Sequence, residues 1–147
     1  MRIYEADLDE KVLATLIKFS CDWAKEDSCY GYRPNDKSDI EGNRIFLAED
    51  NGDIVGYLFG KVNRSERMQS IMPDGTPYFE VEELYVVSEK RSMGIGESLF
   101  KYVEEVVKQE AEYILLTTAT KNKKAILHFY IDELDMTLWI ARMFKKL

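Results

Sequence analysis

Two stretches carry residues whose types and spacing could do chemistry. The first, "RSMGIGESL" (Arg91–Leu99), sets an arginine ahead of two glycines one residue apart, and a helix-like run follows. Glycine-rich turns before helices often hold phosphates. Their backbone N–H groups can converge, and the helix N-terminus adds partial positive charge. A dinucleotide fingerprint needs a third glycine at the position of Leu99, and a Walker loop needs Gly-Lys-Ser/Thr. Both are absent. What stands is strand, Arg-x-x-Gly-x-Gly, helix, with Gly94 and Gly96 letting amides close on a phosphate. The competing reading is a plain strand-turn-helix connection whose glycines serve packing. The second stretch, "FEVEEL" (Phe79–Leu84), holds three carboxylates. On a regular strand Glu80 and Glu82 share the face of Leu84 and Val86, and Glu83 lies on the other. A β-bulge would break that parity.

The elements that position these residues follow from hydrophobic period. "RIYEAD" (Arg2–Asp7) reads as a short strand. Asp7 and Glu10 have capping-box spacing, and Val12, Leu13, Leu16, Ile17 and Trp23 keep the period of an amphipathic helix. Residues 27–39 are loop-like. Residues 44–62 form a hairpin with Asn51-Gly52 at its turn. Residues 63–78 are a long polar connection ending in Pro-Asp-Gly. Residues 78–87 are the strongest strand candidate. A helix is expected over 96–110, a strand over 113–120, a helix over 123–134 and a last strand over 136–145. The alternation is that of a mixed α/β layer fold, a central sheet flanked by helices.

The totals bound what this fold can do. A chain of 147 residues, 46% hydrophobic and 32% charged, suits one domain over residues 1–147 with a real core. No apolar run is long enough to span a bilayer, and the first residues lack an apolar signal core, so a cytoplasmic location is expected. A formal net charge of −7 disfavours nucleic acid and suits cationic small molecules or basic peptides. Cys21 and Cys29 make neither a disulfide framework nor a metal site and read as free thiols.

With strand, turn and helix together, "LYVVSEKRSMGIGESL" resembles the GNAT superfamily of acetyl-CoA-dependent N-acetyltransferases, whose pattern it matches without a gap. The resemblance implies a GNAT-like fold with a shortened C-terminal strand region. It implies that backbone groups of Leu84, Tyr85 and Val86 bond the pantetheine arm of acetyl-CoA. Amides of Arg91, Ser92, Met93, Gly94, Ile95, Gly96 and Glu97 would then cradle its pyrophosphate. Glu97, a carboxylate just inside the helix, should point away from that charge.

The same resemblance implies direct acetyl transfer to an amine in a ternary complex. An aliphatic ammonium has a pKa near 10.4, so about one molecule in two thousand is neutral at pH 7, a barrier of roughly 4.6 kcal/mol. A base or water chain must take the proton. Relatives place that group two or four residues before the Leu-x-Val stretch, which points to Glu82 and Glu80. Relatives often use a tyrosine on the helix after the second motif strand to protonate the leaving thiolate, with an asparagine earlier touching the coenzyme. Those positions point to Tyr130 and Asn122, although the spacing is one residue longer than usual and strict counting gives Phe129. His128, the only histidine, reads as a helix-surface residue.

Family members end in two strands after this helix, whereas residues 136–145 hold one. That segment is apolar on both faces, which an exposed edge strand should not be. A homodimer pairing through it is the expectation. The competing function is a GNAT-like module that binds acyl-CoA without turnover, and the carboxylates argue for the enzyme. The acceptor amine is unspecified by the sequence; the loops 27–39 and 63–78 flank its expected side.

Overall fold

The computed structural model describes residues 1–147. Five strands form one sheet in the order β1 (Arg2–Ala6), β2 (Arg44–Asp50), β3 (Asp53–Arg64), β4 (Pro77–Val86) and β5 (Tyr113–Leu116). Neighbours are antiparallel except β4 and β5, which run parallel. The β2–β3 hairpin turns at Asn51 and Gly52, both with positive φ, as the sequence predicts.

Each sheet face carries its own core. Helix α1 (Glu10–Glu26) lays Val12, Leu16 and Phe19 on Leu47, Tyr57 and Tyr85. Helix α3 (Ile95–Val107) lays Leu99, Phe100 and Val103 on Phe46, Phe79 and Val81. With both faces covered, the central strands β2 and β3 are buried in continuous runs rather than at alternate residues. The chain starts α1 at Asp9 rather than at an Asp7–Glu10 box. Asp9 is extended, and its Oδ1 accepts from the Val12 amide at 2.8 Å. A true capping box does exist, at Asp36 and Asp39, and it opens the one-turn helix α2 (Lys37–Ile40) inside the expected loop.

The last helix is shorter in its α part than expected. Helix α4 covers Lys123–Leu127 and continues as a π-helical turn over His128–Glu133, closed by the Leu134 amide donating to the Phe129 carbonyl at 3.1 Å.

The expected strand over 136–145 does not form. A strand is held by a ladder, and within this chain the segment has no partner strand. It runs irregularly, held at Trp139, whose Nε1 donates to Ser70 Oγ at 3.0 Å, and at Phe144, edge-on to Tyr30. Ile140 and Met143 stay 71% and 90% exposed. Cys21 and Cys29 are free thiols, as expected. No helix is long and apolar enough to cross a membrane.

Candidate active site

The sheet opens at its β4–β5 edge. The two strands pair only from Tyr78 opposite Tyr113 to Val81 opposite Leu116. Past Leu116 the chain turns to another partner: Thr120 bridges Cys29, the Tyr30 amide donates to Ala119, and the Lys121 amide donates to Ser28. Residues 82–86 of β4 are thereby left without a neighbour on that side. In an antiparallel ladder alternate residues turn both backbone groups to the partner. The Val87 amide donates to Val55, so Tyr85 and Glu83 face β3 while Leu84 and Val86 face the opening. Tyr85, expected to present backbone groups there, spends them within the sheet.

Between β4 and α3 the chain makes a short 3₁₀ turn (Ser88–Lys90) and then a loop with two left-handed residues, Ser92 at φ 60° and Gly94 at φ 79°. Gly94 is the helix N-cap and uses no side chain to cap. The amides of residues 92–97 find no acceptor in the protein, and the first intrahelical bond is Ser98 to Gly94. Six donors without a protein acceptor thus stand beside a helix N-terminus, where partial positive charge gathers. The Arg91 amide is engaged by Ser88 instead. The Arg91 guanidinium grips Glu26 at 2.7 and 2.9 Å, and its Nε donates to the Val86 carbonyl at 2.9 Å. It braces the loop against the end of α1, and the Glu26 contacts hold its pKa above the ordinary arginine value. Glu97 turns along the helix to Lys101, away from the loop.

The three carboxylates of β4 separate because the strand carries a bulge. Phe59 pairs with Glu83 and Gly60 with Val81, which leaves Glu82 without an opposite residue. The regular-strand expectation, Glu80 and Glu82 on the face of Leu84 and Val86 with Glu83 on the other, therefore fails. Glu80 shares the face of Glu83 and Tyr85, and Glu82 is the extra residue. Gly60 permits this geometry: a Cβ there would meet the Glu80 carbonyl oxygen at 2.1 Å. Glu82 is exposed at the point where β5 leaves β4. Glu80 is half-buried and accepts from Asn63 Nδ2 at 3.1 Å.

Glu83 is the most perturbed of the three. It accepts from Tyr57 Oη at 2.7 Å, from Asn35 Nδ2 at 2.9 and 3.0 Å, and from Tyr32 Oη at 3.4 Å. Burial pushes its pKa up, and the hydrogen bonds from Tyr57, Asn35 and Tyr32 oppose that rise. Burial and the Glu83 charge raise Tyr57 and Tyr32 in turn, so both stay protonated donors.

Tyr130 lies on the π turn, edge-on to Phe100 and Phe129. Burial, with Cys29 nearby, pushes its hydroxyl up to about 12. Phe129 lies against the loop, where a Cβ on Gly96 would touch its ring at 3.4 Å. Asn122 is the exposed N-cap of α4, and its side chain makes no cap hydrogen bond. His128 is exposed and pairs with Asp132 at 2.8 Å, a surface residue as the sequence reading has it.

The acetyltransferase (GNAT) family pattern matches residues 12–132, most of the chain. The chain belongs to the GNAT acetyltransferase family. A search of curated protein sequences gives no match. Solved structures share the GNAT fold along nearly the whole chain. A tetramutant protein from Bacillus halodurans is 18% identical with a TM-score of 0.75, each chain covered in full. An aminoglycoside N-acetyltransferase in complex with CoA is 14% identical with a TM-score of 0.68, covering 99% of this chain and 98% of the other. An aminoglycoside acetyltransferase from an uncultured soil metagenomic sample is 16% identical with the same TM-score, covering 99% and 95%.

The residues that sequence reasoning missed in this GNAT chain are Glu83 and the donors around it. One signal was available: Ser20, a hydroxyl on the inward stripe of α1, fully buried with its Oγ accepting from the Asn35 amide at 2.9 Å. A buried polar side chain needs such a partner.

Proposed function

We propose that this protein moves an acetyl group from acetyl-CoA to a primary amine, of a small molecule or a protein, by direct attack in a ternary complex. The observation that carries the reading is the unpaired edge of β4 running from Glu82 into a loop of six free amides. Leu84 N–H and C=O and Val86 N–H would bond pantetheine as an added strand does, and the amides of residues 92–97 would take the pyrophosphate. Arg91 serves as a brace for that loop, with its side chain on Glu26.

The amine enters beside Glu82 from the side of the α1–α2 loop. Glu82 attracts the ammonium and takes its proton through one or two waters, with Glu80 in a secondary role. The neutral nitrogen attacks the thioester carbonyl carbon, the C–S bond breaks, and the thiolate receives a proton from Tyr130; the second nitrogen proton, lost as the amide forms, passes through water to the tyrosinate. A hydroxyl held near 12 is protonated at neutral pH and so carries the proton to be given. No acyl-enzyme is required. The exposed apolar segment over 136–145 supports a homodimer formed through it.

A positioned base is worth about 10²–10⁴-fold in rate. Glu82→Gln should therefore lose at least tenfold in kcat/KM near neutral pH and regain part of it at high pH, where free amine is plentiful. Acetyl-CoA affinity should hold. Wild-type rates across pH 6 to 9 in both Glu82→Gln and Glu80→Gln would place the proton acceptor elsewhere.

A further inference from the structure

The transfer chemistry proposed above leaves Glu83 unused, although Glu83 ties more elements together than any other side chain near the site. Asn35 and Tyr32 reach it from the α1–α2 loop, and Tyr57 reaches it from β3. Asn35 is itself fixed from behind. Its amide donates to Ser20 Oγ at 2.9 Å, and that buried hydroxyl donates to the Ile17 carbonyl at 2.7 Å. One residue later the Asp36–Asp39 capping box starts α2, whose Ile40 is fully buried. The loop is therefore anchored through α1, through α2 and, by Glu83, onto the strand that carries Glu82.

The anchored loop builds a wall. The Tyr32 ring packs on Trp23 at 4.4 Å, and Trp23 packs on Tyr85 at 5.4 Å. A carboxylate offers about four lone-pair sites, and Glu83 fills most of them with these donors. Little acceptor capacity is left for an incoming ammonium, in contrast with exposed Glu82. Glutamine would offer one acceptor oxygen where Glu83 offers two, so it cannot hold Asn35, Tyr32 and Tyr57 in the present arrangement.

We propose that Glu83 is a positioning residue that clamps the acceptor-side loop onto β4 through Asn35 and Tyr32, so that the Trp23–Tyr32–Tyr85 wall stands beside the amine. The clamp is drawn from the hydrogen bonds alone, and its bearing on the amine rests on the N-acetyltransferase reading.

The test compares Asn35→Ala, Glu83→Gln and the double variant in the full chain. Amide hydrogen exchange over residues 27–36, measured without any substrate, should quicken by about tenfold in each single variant, and the double variant should add little, because both remove one contact. With an accepted amine, KM should rise about five- to tenfold while kcat stays within about twofold, and calorimetry should give unchanged acetyl-CoA affinity. Unchanged loop exchange in both single variants would overturn the clamp. So would a fall in kcat at constant KM, which would make Glu83 a proton carrier. Should Glu83→Gln fail to fold, Asn35→Ala keeps the Tyr57 bond and decides by the same readouts. A wild-type protein that acetylates no amine would sink the N-acetyltransferase reading while the exchange experiment still judged the clamp.

Discussion

Glu82 and Glu83 are neighbours with the same side chain, and one bulge gives them opposite surroundings. Glu82 is exposed and unpartnered across the ladder, whereas Glu83 sits among Tyr57, Tyr32 and Asn35. Burial raises the Glu83 pKa in the native state, so the folded protein binds that proton more tightly than the unfolded chain does. Its contribution to stability is then full below the ordinary glutamate range and lost as pH rises through the raised value. Glutamine does not titrate. The unfolding free energy of wild type minus that of Glu83→Gln should fall as pH is taken from about 4 to 8 in urea titrations; a difference that rose with pH would mean a depressed carboxylate. The sequence reading sorted the three glutamates by strand parity, Glu80 with Glu82 and Glu83 opposite, and the bulge moved Glu80 to the face of Glu83. Their sorting depends on Gly60 meeting the Glu80 carbonyl across the ladder, a contact between strands that local period does not encode.

At the scale of elements, strong periodicity was legible and irregularity was not. The α1 and α3 stripes, the Asn-Gly hairpin and the strand-loop-helix around Arg91 follow from residue types and spacing. The π turn after α4 left no mark in the hydrophobic period, which reads the same for an α-helix over 123–134. In the loop before α3 the motif located the glycines, and the structure adds that Arg91 faces Glu26. Gly94 has open space where a Cβ would stand, and its positive φ costs a non-glycine residue about 1–2 kcal/mol. Gly94→Ala isolates that strain; Gly94→Arg adds a long arm over the amides of residues 92–97. Calorimetry should find acetyl-CoA binding lost in Gly94→Arg and weakened by about tenfold at most in Gly94→Ala. Equal affinity in wild type and Gly94→Arg would remove the pyrophosphate from this loop.

For the whole molecule, the parallel β4–β5 pair that separates after four residues is the organising feature, because it leaves residues 82–86 of β4 without a neighbour on that side. The sequence reading did not contain that opening and expected a strand as far as residue 120, since strand divergence depends on Ser28–Tyr30 capturing the chain after β5. The same scale holds the failed strand over 136–145: its composition is that of a strand, but pairing needs a partner that one chain does not supply. Light scattering at micromolar concentration should give a dimer, and removal of residues 136–147 a monomer; a monomeric full chain would reject the proposed pairing. The central claim is acetyl transfer to an amine, and it is tested most directly by incubating the protein with acetyl-CoA and a panel of amines, following thiol release and the mass of each amine. The account predicts acetylated amine and free CoA in equal amounts for at least one member, with no acetyl left on the protein. Tight acetyl-CoA binding with no thiol release above background for any amine would contradict it and leave a coenzyme-binding module.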